Sequence, residues 1–239
     1  MNSPSLKIGT WLSVGSPVVA ELAALSGFDW VLFDLEHGCE AEARLPDQLR
    51  AIRGTTTRGI VRVAGPFPDQ IARVLDWGAD GLMVPRVETA ETARVIVDAA
   101  YHAPRGRRGF SRTVPATGYG LTSHPEAPLV MAQIETRAGV AASASIAKVE
   151  GIDVLFVGPS DLRHDLATAD DESAPDFDGC IQQISGAARA AGKETGILLR
   201  DAETLGAHQD LGFTHIAIDS DLSILRNAYQ ALLNQNSPN

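Results

Sequence analysis

Asp34, Glu36 and His37 close the apolar run Phe28-Asp-Trp-Val-Leu-Phe-Asp-Leu-Glu-His-Gly38. Three ionisable side chains at the end of such a run are costly to hold near a core unless something pairs with them. Imidazole is the side chain suited to proton transfer near neutral pH, which makes His37 a candidate proton-transfer group. Asp34, three residues earlier, is positioned to orient its ring; a surface histidine at the start of a loop is the plain alternative. Arg62 interrupts the apolar stretch Gly59-Ile-Val-Arg-Val63. Arginine is rarely buried without an anionic partner, here either Glu36 or a bound carboxylate. Glu135 and Asp161 follow two further apolar runs. Two carboxylates on neighbouring strands can hold a hard cation such as Mg2+ and leave positions for water or substrate oxygens. Each also has a structural reading, Asp161 as a helix cap and Glu135 as a first-turn charge against the helix dipole. Together they point to a metal.

These groups need a frame that brings them together across the sequence. Strand-like runs are expected at 8–13, 30–34, 59–63, 81–84, 130–134, 153–157, 196–199 and 215–218. Helix-period stretches lie between and after them, at 17–26, 43–52, 68–77, 89–101, 137–147, 180–191, 202–211 and 221–234. Six of the strands follow turn chemistry such as Ser26-Gly-Phe-Asp29, Trp77-Gly-Ala-Asp80 or Leu211-Gly-Phe213. Regular βα alternation implies a parallel sheet, and eight units in about 250 residues suggest one closed (β/α)8 barrel, a TIM barrel spanning 1–239. Catalytic groups of a barrel sit where its strands end. The residues there are Asp34, Glu36 and His37, Arg62, Pro85 and Arg86, Gln133 and Glu135, Gly158-Pro-Ser-Asp-Leu162, Arg200 and Asp201, and Asp219 and Asp221. Two long connections, 102–128 and 163–178, are expected to be lids, subunit contacts or mobile segments.

Composition removes several classes. The 239 residues are 44% hydrophobic and carry 30 acidic against 20 basic side chains, a net charge of −10 with no basic stripe, so nucleic acid is not expected as a partner. Residues 1–7 lack a signal peptide's apolar core, and no apolar run approaches the ~18 residues a membrane helix needs. Two cysteines, Cys39 and Cys180, fit a reducing cytoplasm. Ser13-Val-Gly-Ser-Pro17 is not a dinucleotide fingerprint, so no nucleotide cofactor is expected. The seventh and eighth βα loops lack the glycines of a phosphate site. The only lysines, Lys7, Lys148 and Lys193, each precede a strand, at the end opposite the candidate site. Schiff-base chemistry needs a lysine inside the barrel or at its catalytic end and is not expected.

The chain resembles the metal-dependent, pyruvate-specific class II aldolases of the HpcH/HpaI family, such as the 4-hydroxy-2-oxoheptanedioate and 2-dehydro-3-deoxyglucarate aldolases. The resemblance rests on Gly9-Thr-Trp-Leu12, residues 24–30 with Asp34-Leu-Glu-His37, Val61-Arg-Val63, Val84-Pro85, Arg105-Gly-Arg-Arg-Gly109, Gln133-Ile-Glu-Thr136 and Phe156-Val-Gly-Pro-Ser-Asp-Leu162. These run in the family's order over nearly the whole chain. The resemblance implies His37 as base and Arg62 as the group facing the enolate and carbonyl oxygens. It implies Glu135 and Asp161 as ligands of Mg2+, Mn2+ or Co2+, and Gln133 and the Ser160 backbone as contacts of the oxo acid. Trp11, Gly158 and Pro159 complete the expected substrate wall. Asp76, at the end of the third helix, matches a family carboxylate that raises the histidine's basicity. A homohexamer, a trimer of dimers with the helix at 221–234 exchanged between subunits, is also implied. The chain departs from the family pattern at 110–129, with Arg112, Tyr119 and His124, and at Leu162-Arg163, where Leu-Ser is common.

The expected reaction is reversible aldol cleavage of a 4-hydroxy-2-oxo acid to pyruvate and an aldehyde. Rival readings on the same metal–enolate chemistry are a CoA-ester lyase and an oxaloacetate decarboxylase or citrate-forming condensation. An inactive metal-binding barrel is the non-enzyme reading.

Overall fold

Strand and helix alternate from the first described residue to the last. The computed structural model describes residues 5–39, 41–123, 125–168 and 175–235. The strands are β1 (Lys7–Leu12), β2 (Trp30–Asp34), β3 (Arg58–Arg62), β4 (Gly81–Val84), β5 (Leu129–Ile134), β6 (Val154–Val157), β7 (Glu194–Leu199) and β8 (His215–Ser220). The helices are α1 (Pro17–Leu25), α2 (Leu45–Ala51), α3 (Pro68–Asp76), α4 (Ala90–Ala100), α5 (Arg137–Ala147), α6 (Pro159–Ala167), α7 (Phe177–Ala190), α8 (Leu205–Asp210) and α9 (Asp221–Gln235). Each strand pairs in parallel with the next, and β8 pairs with β1, so the sheet closes as the alternation implied.

Strands buried on both faces read as continuous apolar runs, and β2, β4 and β6 are buried along their whole length. Side chains alternate between two cores. Val31, Phe33, Val61, Leu82 and Leu155 meet the helices outside. Trp11, Trp30, Leu32, Met83, Met131 and Phe156 fill the inside of the barrel. Gly9 makes that filling possible: a Cβ there would collide with the indole of Trp30. Side-chain caps start several helices, with Ser16, Thr89, Thr136 and Asp176 each accepting a backbone N–H of the first turn.

One element differs from the sequence expectation. The stretch after β6 forms α6, so Asp161 stands in the first turn of a helix that the periodicity did not announce. Only nine residues long and broken by charges at Asp161, Arg163, His164 and Asp165, it has a weak apolar stripe. The expected long connection 163–178 is therefore helical up to Ala167, and its residues 169–174 lie outside the described ones. In the segment 102–128, a short 3-10 turn covers Pro115–Gly120; His124 lies outside the described residues. Helix α9, over the stretch expected to be exchanged between subunits, is exposed at every residue from 224 to 234, including Ile224, Leu225, Tyr229, Leu232 and Leu233. The start of α9 is fixed by Asp221, whose buried carboxylate accepts the N–H groups of Ser13, Val14 and Leu222. Among the described residues no helix is long and apolar enough to cross a membrane.

Candidate active site

Arg62 ends β3 with its side chain buried, between two carboxylates from the end of β2. Its Nε and Nη2 donate to Asp34 Oδ1 and Oδ2 at 2.9 and 2.7 Å, a bidentate pair, and Nη1 lies 2.9 Å from Glu36 Oε2. Burial opposes the charge on Asp34, but Arg62 and the N–H groups of His37 and Glu36 outweigh it and hold the carboxyl below its ordinary range. Glu36 is raised by burial, in spite of Arg62 beside it. The expectation that Asp34 orients the His37 ring is corrected here. Asp34 Oδ1 accepts the backbone N–H groups of Glu36 and His37, closing an Asx-type turn, and both oxygens face Arg62. The acid facing the ring is Glu36, with Oε1 3.8 Å from His37 Nε2. The His37 side chain is 65% exposed, at the mouth of the site.

Opposite this cluster stand the acids of β5 and β6. Glu135, buried one residue past β5, accepts the Arg86 N–H at 2.8 Å, and its other oxygen accepts from Gln133 Nε2. Arg86 presents that N–H from a left-handed backbone, φ 52°. Burial pushes the Glu135 carboxyl up to about 7, with Asp161 and Glu36 adding like charge. Asp161 is exposed in the first turn of α6, whose N-cap is Gly158 and first residue Pro159. Gly158 is where the two sides approach closest: a Cβ there would collide with Glu135 Oε2 and lie 2.7 Å from Gln133 Nε2.

A cavity of about 200 Å³ opens between these groups at the C-terminal ends of the strands, with Glu36, Arg86 and Glu135 behind its wall rather than in it. Trp11, Asp34, His37, Arg62, Gln133, Gly158, Pro159, Ser160 and Asp161 line it. Trp11 forms the base, with the Arg62 guanidinium 5.3 Å above its ring and Phe156 5.7 Å away. The α6 N-terminus opens onto it with no side-chain cap, so the N–H groups of its first turn face an incoming anion. Asp76 is not in this cavity. It ends α3, on the side of the barrel where β4 begins, and pairs with Arg108. Arg200, expected at the end of the seventh strand, and Phe156 also line the cavity, as do Ser13, Leu198 and Ser220, which had not been singled out. Their signal was positional: each lies on a barrel strand or at its C-terminal end. Lys7 opens β1, Lys148 follows α5 and Lys193 precedes β7, so all three lie towards the other end of the barrel.

Residues 7–228 match the model of the HpcH/HpaI aldolase/citrate lyase family. The chain belongs to that family. It is 38% identical over 232 residues to a hydroxypyruvate/pyruvate aldolase of Delftia acidovorans, covering 94% of this chain and 86% of that protein. It is 35% identical to a 5-keto-4-deoxy-D-glucarate aldolase of Escherichia coli K12, covering 95% and 91%. The crystal structure of an HpcH/HpaI family protein from Burkholderia cenocepacia J2315 superposes with a TM-score of 0.88 at 33% identity, over 98% of this chain and 95% of that one. The citrate synthase SbnG superposes with a TM-score of 0.85 at 29% identity, over 97% and 93%. As a member of the HpcH/HpaI family related to named aldolases over nearly its full length, the protein is a carbon–carbon lyase of the class II aldolase type.

Class II aldolases of this family depend on a divalent metal. The donor set fits one. Glu135 is a buried carboxylate that meets neutral donors at both oxygens and has acids, not a base, as its strongest charged neighbours. The buried Gln133 Oε1 has no hydrogen-bond partner. A cation beside Glu135 and Asp161 would relieve their like charge. Among the described residues no three His, Cys, Asp or Glu side chains gather at ligating distance, so two carboxylates would leave the other positions to substrate and water.

Proposed function

We propose that the protein catalyses reversible aldol cleavage of a 4-hydroxy-2-oxo acid to pyruvate and an aldehyde. The observation that carries this reading is the cavity lined by Asp161, Arg62 and His37, with the buried Glu135 carboxylate, pushed up to about 7, directly behind the lining residues Gln133 and Gly158. A divalent ion held by Glu135 and Asp161 — Mg2+, Mn2+ or Co2+ — supplies the Lewis acidity that polarises a 2-oxo group and acidifies the carbon next to it. Gln133 and the α6 N-terminus, with Gly158, Pro159 and the Ser160 backbone, orient the oxo-acid end. Arg62, locked by Asp34 and Glu36, faces the oxygen on which negative charge develops. In cleavage, His37 takes the proton of the C4 hydroxyl, the C3–C4 bond breaks, and its electron pair passes into the enolate of pyruvate. Protonation at C3 completes pyruvate. In the reverse direction the enolate adds to the aldehyde and His37 returns the proton to the new hydroxyl. Trp11 covers the apolar base of the cavity.

The apolar residues of α9 and the exposed Val18, Leu22 and Leu25 of α1 are two uncovered faces on elements that flank β1. We infer that α9 of a partner subunit covers them, in a homohexamer built as a trimer of dimers. Asp76 then acts on a site other than that of its own cavity. Two free cysteines, one of them exposed, suit the cytoplasm.

Assay of metal-stripped protein with 4-hydroxy-2-oxo acids tests the reading. Cleavage on addition of Mg2+, Mn2+ or Co2+, with release of pyruvate, is expected. The likeness to a citrate synthase motivates oxaloacetate as a parallel substrate. Turnover of oxaloacetate alone, with every 4-hydroxy-2-oxo acid left intact, would contradict the aldolase reading.

A further inference from the structure

The cavity has a second cation that the proposed chemistry does not use. Arg200 follows β7 and lines the wall beside Leu198 and Ser220. Its side chain is 62% exposed, and among the described residues the acid paired with it is Asp219, with Oδ1 3.6 Å from Nη1, too far for a hydrogen bond. Asp219 is held there by its backbone. It lies near the end of β8 with φ 53°, where the pairing of β1 with β8 slips register, and Thr10 Oγ1 donates to its carbonyl. Its Oδ1 is buried with no hydrogen-bond donor. Asp219 therefore draws the guanidinium across the cavity without consuming its N–H fork. Arg62 is the contrast, with its Nε–Nη2 edge spent on Asp34 and its Nη1 beside Glu36.

We propose that Arg200 determines specificity for the aldehyde half of the substrate, taking a carboxylate at the end remote from the reacting carbonyl. The proposal rests on the aldolase reading given above. Among the described residues that line the cavity, a second anionic group finds Asp34 and Asp161 on the other walls and an open fork at Arg200. A planar fork binds a carboxylate through two parallel hydrogen bonds, which a lysine ammonium cannot reproduce. Removing Arg200 also leaves Asp219 as an uncompensated negative charge beside the same subsite.

The test compares two acceptors of equal chain length, 4-oxobutanoate and butanal, in aldol addition to pyruvate with Mn2+. Wild-type protein is expected to favour 4-oxobutanoate in kcat/KM by about tenfold or more. Arg200→Ala is expected to lower that ratio by about tenfold or more, mainly through KM for 4-oxobutanoate, and Arg200→Lys to fall between. No preference in the wild type, or a ratio in Arg200→Ala within about twofold of wild type, overturns the assignment. Exchange of pyruvate methyl protons into D2O, followed in the wild type, separates the two layers. Intact exchange with an unaltered ratio overturns the role of Arg200 alone. Absence of exchange overturns the aldolase reading and this assignment with it.

Discussion

Arg62 is the residue on which the site turns, because two acids hold it in one orientation before substrate arrives. His37→Ala and Arg62→Ala are each expected to cost about 100-fold or more in kcat/KM for cleavage, by loss of proton transfer and of charge stabilisation respectively. A His37→Ala enzyme within a few-fold of wild type would remove it as the base. Asp34 acts through Arg62 and the turn, so its loss shows first in stability. Asp34→Asn breaks a buried bidentate pair, expected to cost about 3 kcal/mol in a denaturant titration at pH 7. The pH dependence follows from the same pair. The folded-state pKa of Asp34 is depressed, so its contribution is present in full above the unfolded value and is lost as pH falls through the lower folded one. Melting temperatures measured from pH 6 downward should converge for wild type and Asp34→Asn in acid; a gap that stays constant would refute this. The residue types at this strand end were legible in the sequence, but the direction of the Asp34 side chain was not. A spacing of three in a loop is met equally by a carboxylate on the ring and by one on the backbone N–H, and the buried guanidinium decides.

At the scale of elements, the sequence carried the eight strands because their apolar runs are bounded by glycine and aspartate turns. β2 and β4 begin and end where expected, and the bounds of the other six strands differ from expectation by one or two residues. Helix α6 was not legible as a helix: only Leu162 of its nine residues is buried, so packing leaves almost no periodic trace. Its start nonetheless sets the site, since Gly158 lets α6 approach Glu135 and Gln133. Gly158→Ala should push these side chains apart and cut cleavage activity by at least about tenfold, while the circular dichroism spectrum stays native. Unchanged activity would show that this close approach is not required. The Glu135–Asp161 pair was readable from strand order alone, because parallel neighbours β5 and β6 end side by side.

At the scale of the whole molecule, α1 and α9 both present exposed apolar side chains among the described residues. Leu222, Leu225, Tyr229 and Leu232 follow a helical spacing on α9 and all are exposed. We propose that this apolar stripe is a subunit contact. Light scattering on the eluting protein is expected to give the mass of a hexamer, and Leu225→Asp with Tyr229→Asp to give smaller species. A wild-type monomer at micromolar concentration would contradict the swapped assembly. The family relationship and the barrel explain why activity and architecture were within reach of one sequence, whereas Asp76 is removed from the cavity of its own chain and has a role only if subunits share a site.

The central claim is that Glu135, Asp161 and Arg62 generate an enolate from pyruvate with the help of a divalent ion. NMR of pyruvate in D2O measures this step without an aldehyde. Methyl-proton exchange is predicted with Mn2+ or Mg2+, lost in excess chelator and restored on adding back the metal. Undiminished exchange in excess chelator, or none with any divalent metal, would contradict the account.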